Sequence, residues 1–307
     1  MEIGCAERGR TGRARPCRSA GRAGATALGA ILLLAPILAG NPAIGQSVPP
    51  AAASAAPAAP AGASFADLAD LVDAAAIVAL VQIRSQATVP PDRAPGLAPG
   101  SVRLYLEART EALLAGRSAV GESLAFLADR ALVNGRAPRL RRQRMVVFAD
   151  PVPGSPGQLQ LVAPDAMLPA DPALVERVRA LVAAFAAPDA PPRVTGVRDV
   201  ISVQGNLAGE SETQMFVETA TGAPASLSVL RRPGVAPVWG VSWGEVVDAA
   251  ATAPAPESVA WYRLACGLPP SLPDDAFLQP PGPDRTRAQE DYRFILDQLG
   301  PCGRTRG

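Results

Sequence analysis

Histidine and lysine are both missing from this 307-residue chain: all 29 basic side chains are arginine, against 28 acids. Without histidine, the usual base that activates a serine or cysteine is gone. Without lysine, the serine–lysine pairing, Schiff-base chemistry and the P-loop lysine are closed as well. Aromatics make up 4% of the chain and cysteines number four. With no histidine and few thiols, a zinc or transition-metal site lacks its ligands. The sequence calls for no metal and no cofactor.

What is present begins with a targeting segment. Arg8, Arg10, Arg13, Arg15, Arg18 and Arg22 form a basic stretch before the apolar run "ATALGAILLLAPILAG" (25–40), and "AIG" (43–45) offers small residues for cleavage before Gln46. This pattern predicts a secretory signal peptide over 1–45 and a periplasmic or secreted protein. Pro36 and the shortness of the run speak against an uncleaved anchor, so no transmembrane domain is expected after cleavage. No cysteine follows the apolar run and no twin arginine precedes it, which leaves the general secretory route. Six arginines and two acids leave with the segment, so the mature chain carries about −3. It is not a general nucleic-acid binder. Residues 46–64 are Pro/Ala-rich without a period that buries a face, and read as a disordered linker.

Strand periodicity then dominates. Residues 77–89 and 102–110 alternate apolar and polar side chains, and further strands are expected at 122–128, 143–149 and 158–162, with "PVPGSPG" as the hairpin connection between the last two. "DPALVERVRALVAAFAAP" (171–188) reads as a helix capped by Asp171 with Pro172 at its first position. A second strand group follows at 194–203, 212–219, 225–231 and 237–243, and helices close the chain at 257–266 and 284–299. The expected fold is α+β: a small antiparallel barrel or curled sheet, a helix, a second antiparallel sheet and two C-terminal helices. The domains are drawn at 65–165, mainly β, and 166–307, α+β.

Four features offer chemistry. "GVSWG" (240–244) has the spacing of a nucleophile elbow around Ser242, yet only a carboxylate such as Glu245 or Glu210 is left to serve as its base. The same stretch puts Trp239, Val241 and Trp243 on one strand face and Val238, Gly240, Ser242 and Gly244 on the other. That reads as packing, with the nearly bare face inviting close approach by another element. Glu210 and Glu212 in "GNLAGESETQ" (205–214) are a carboxylate pair compatible with acid–base work or calcium, or with a charged hairpin lip. Arg136, Arg139, Arg141, Arg142 and Arg144 fall within nine residues, a candidate surface for an anionic partner such as lipid headgroups, lipopolysaccharide or envelope polymer. No interleaved aromatic is there for base stacking. Asp67, Asp70 and Asp73, three apart on the first helix, could suggest a metal, but read as a solvated face.

Cys5 and Cys17 belong to the signal, leaving Cys266 and Cys302, which are expected to pair as a structural disulfide. The leading reading is a non-catalytic interaction or scaffold module of the envelope, with an anionic envelope component or another envelope protein as partner. The competing class is a carboxylate-dependent hydrolase of envelope glycans or peptides using Glu210 or Glu212.

Overall fold

The computed structural model describes residues 62–116, 120–244 and 251–306. The signal segment 1–45, nearly all of the linker 46–64 and Glu245 lie outside the described residues. The first helix, α1 (Phe65–Ala74), starts where Ser64 and Asp67 exchange hydrogen bonds between side chains and backbone in a capping box. Five strands follow that roll into a barrel: β1 (Ile77–Thr88), β2 (Ser101–Gly116), β3 (Ser123–Ala131), β4 (Arg144–Pro151) and β5 (Gln158–Leu161). Their order is β1-β2-β3-β5-β4, and β4 pairs back onto the first half of β1 to close the ring. Only the β3–β5 pair is parallel. Three register irregularities along β1 bend it enough to serve both neighbours. A short β6 (Met167–Pro169) adds to the far side of β4.

The alternating residues seen in the sequence point as their period requires. Val102, Leu104, Leu106 and Ala108 of β2 face inward and are buried, as are Val81 and Ile83 of β1 and the run from Met145 to Ala149 on β4. α1 lays Leu68, Ala69, Leu71 and Val72 on this core. The helix α2 (Pro172–Phe185), capped by Asp171, adds Val175, Val178 and Leu181 to the same core. Both β6 and α2 thus pack with the barrel rather than with the sheet that follows.

The second sheet is antiparallel in the order β10-β9-β8-β7, from β7 (Val194–Gln204), β8 (Ser211–Thr219), β9 (Ala225–Arg231) and β10 (Val238–Trp243). One face packs Val200, Met215, Leu227 and Val229 against Ala288, Tyr292 and Ile295 of α4 (Pro283–Leu299). Trp239, Val241 and Trp243 lie directly opposite Val229, Leu227 and Ala225 and pack on this core too. Both sheet edges are covered. Val241 bridges to Thr252, while β7 meets Phe277 and the Gln279 side chain bonds both backbone groups of Ser202. The helix α3 (Val259–Ala265) joins the two halves, putting Tyr262 into the barrel core and Leu264 into the sheet core. Cys266, at the end of α3, is bonded to Cys302, just past α4.

Candidate functional site

Arg136, Arg139, Arg141 and Arg142 sit on the loop between β3 and β4, Arg144 opens β4, and all five are exposed. The loop itself is fixed. Leu140 is buried in the barrel core. The Gln86 side chain accepts from the Leu140 N–H at 2.7 Å and donates to the Pro138 carbonyl at 2.9 Å. Further along, the Arg142 N–H donates to the Ile83 carbonyl and the Ile83 N–H to the Gln143 carbonyl. Arg142 takes a left-handed backbone at φ 70°, which turns the chain into β4. Arg84, exposed between the two β1 attachment points, donates to the Gln82 side chain at 3.1 Å. Arg144 pairs with Glu111 at 2.7 Å. Arg84, Arg136, Arg139, Arg141 and Arg142 meet no carboxylate within salt-bridge distance among the described residues. The result is a locally cationic surface on a chain whose formal net charge is +1.

Glu210 and Glu212 occupy a different place, the lip of the β7–β8 hairpin. The Glu210 carboxylate folds over its own loop, accepting from the Leu207 N–H, and a Cβ at Gly205 would lie 2.4 to 2.6 Å from that side chain. Glu212 is exposed and accepts from Gln214 at 2.7 Å. The pair closes and solvates a hairpin. Ser242 is buried on the antiparallel strand β10, opposite Ser226. Beside it, a Cβ on Gly240 would come within 2.3 Å of the Ala251 carbonyl, so the bare face admits a crossing segment of the chain's own backbone.

The aspartates of α1 differ from the sequence expectation of a solvated face, because distant segments come to cover them. Asp67, 2% exposed, accepts from the N–H groups of Ser64, Thr305 and Arg306 and from the Thr305 hydroxyl. Burial pushes this carboxyl up, but those donors outweigh it and hold the pKa down at about 2. Asp70 accepts from the Tyr262 hydroxyl at 2.7 Å and from Arg304. Asp73 receives both terminal nitrogens of Arg263 and one of Arg193. Burial raises Asp73, and the Arg263 and Arg193 guanidinia more than offset it, leaving it lowered. Burial, then Asp70, pushes the Tyr262 phenol well up. Arg306 also reaches Asp165. This row of acids is the joint between α1, α3 and the segment after Cys302.

A second cluster was not singled out from the sequence. Asp291 of α4 is fully buried; its Oδ1 accepts from Arg231 Nε at 2.6 Å and its Oδ2 from the Thr213 hydroxyl at 2.5 Å. The Thr213 hydroxyl lies 2.8 Å from that of Ser202, which accepts from Arg287. The signal was an acid inside the apolar stripe of the last helix, three residues after Ala288 and four before Ile295. Among the described residues no group of histidine, cysteine or carboxylate side chains is placed to hold a metal, and no helix is long and apolar enough to cross a membrane.

No known protein family matches this chain, and no curated protein shows significant sequence similarity to it.

Proposed function

We propose that this is an exported, non-catalytic module of the cell envelope that docks through the β3–β4 arginine loop onto an anionic envelope component. The observation that carries the reading is the mounting of the loop. Its guanidinia are exposed, four of the five lack a carboxylate partner among the described residues, and backbone and Gln86 contacts hold the loop in one shape. A fixed loop loses little conformational entropy on binding, and arginine presents a planar fork to phosphate or carboxylate. The hydrolase reading draws less support, because Glu210 closes its own hairpin, Glu212 is exposed and Ser242 is buried. Export rests on the basic and apolar pattern of residues 8–45, with which the Cys266–Cys302 bond is compatible.

Hydrogen exchange with and without dextran sulfate, a soluble polyanion, tests the reading. Protection is expected across residues 133–144 and the facing part of β1. Protection confined to 205–214, or none anywhere, would overturn it.

A further inference from the structure

The arginine loop carries two exposed aliphatic side chains as well as charge. It leaves β3 through Leu132 and Val133, which are 36% and 59% exposed. Val133 and Arg136 bridge each other through paired backbone hydrogen bonds, closing a two-residue turn at Asn134 (φ 53°) and Gly135 (φ 71°). Positive φ at both central positions suits the tight hairpin turn that Asn-Gly favours, so the apex is a stiff finger. Its root is fixed where the Leu132 N–H donates to the Gly100 carbonyl of the neighbouring 89–100 loop. That loop brings one acid and one base, Asp92 and Arg93, and so leaves the local charge unchanged. Arg136 stands across the turn from Val133, and Arg139, Arg141 and Arg142 follow in the stretch fastened to β1.

Resting on the arginine loop as the docking surface, we infer that the anionic component is a phospholipid surface, with the guanidinia of Arg136, Arg139, Arg141 and Arg142 on the phosphates and Leu132 and Val133 entering the acyl boundary. A stiff turn with exposed aliphatics on its first arm and cations on and after its second fits a soft, anionic, amphipathic layer. A glycan would be met by stacking aromatics, and the loop has none. A folded acidic partner would be met by a broader, flatter surface with buried anchors.

Co-sedimentation of the purified chain with phosphatidylcholine vesicles, with and without phosphatidylglycerol, reads this directly. Binding is expected only with phosphatidylglycerol. Each arginine near an anionic surface contributes about fivefold in partitioning, so R139Q/R141Q/R142Q should weaken binding by about 100-fold. L132S/V133S should weaken vesicle binding by about tenfold or more while leaving dextran sulfate binding unchanged. V133S alone, beside the turn, keeps the test valid should the double variant disturb the root of the finger. Both aliphatic variants binding vesicles like wild type would overturn the lipid assignment and leave the anionic docking surface standing. Wild type binding dextran sulfate but not vesicles would do the same. Wild type binding neither, or an arginine variant that binds both unchanged, would remove the docking surface itself.

Discussion

Removing the Asp291 carboxylate should strongly destabilise the packing of α4 on the second sheet. The side chain is fully buried and its two oxygens take one hydrogen bond each, from Arg231 and from Thr213. In Asp291→Ala, the Thr213 hydroxyl is left with Ser202 alone, 2.8 Å away, and Arg231, whose side chain is 31% exposed, keeps a charge with no partner there. Hydrogen bonds to charged groups contribute about 1.5–3 kcal/mol each, and breaking a buried ion pair costs about 3–5 kcal/mol. Because Arg231 can turn partly into water, the lower part of that range applies, about 3–4 kcal/mol. Asp291→Asn keeps a carbonyl acceptor and should lose about half as much. Thr213→Val, combined with Asp291→Ala, should cost about 1 kcal/mol less than the two single changes together, since the Thr213–Asp291 hydrogen bond is then lost only once. Urea unfolding followed by tryptophan fluorescence measures all four, after two probes are shown to give coincident transitions. Asp291→Ala within 1 kcal/mol of wild type, or Asn no better than Ala, would refute this account of the cluster.

Three further outcomes follow from other contacts. Cys302→Ser opens a 36-residue separation and should lower stability by about 4 kcal/mol on the chain-entropy account, while alkylation and intact mass of the unreduced, exported chain should find no free thiol at Cys266 or Cys302. With Asp67 held at about 2 in the folded state and near 3.9 in the unfolded, its contribution, about 2 kcal/mol, is present above pH ~5 and disappears as the pH falls toward 2; Asp73, also lowered, acts in the same direction. Asp67→Asn should therefore flatten the acid limb of thermal stability, and an unchanged limb would contradict the assignment. Gly240→Ala drives a methyl against the Ala251 carbonyl and should cost about 1–3 kcal/mol, read as a lowered urea midpoint; a neutral result would mean that the crossing segment yields freely.

Much of the fold was legible because its elements carry local codes. The period of two in residues 102–108, the Asp171–Pro172 start of α2 and the bare Gly240 face each announce a strand, a helix and a close approach without knowledge of anything distant. The ring order β1-β2-β3-β5-β4 was not legible, since the parallel β3–β5 pairing joins strands far apart in the chain and the β1–β4 closure goes with bulges in β1 that no residue type marks. The arginine loop was visible as a charge run, but its rigidity comes from Gln86, more than fifty residues earlier. The α1 aspartates had the right spacing to share a face, yet their partners, Arg263, Arg304 and Thr305, lie about 190–240 residues away, where periodicity says nothing. Asp291 broke an apolar stripe, a local signal that becomes meaningful only when Thr213 and Arg231 are seen opposite it.

Calorimetric titration of dextran sulfate into wild type and R139Q/R141Q/R142Q, repeated at rising salt, tests the central claim most directly. The account predicts measurable binding by wild type at low ionic strength, a steep loss as the screening length shortens from ~30 Å at 0.01 M toward ~8 Å at 0.15 M, and little binding by the variant. Equal affinity of the two proteins at every salt concentration would contradict it.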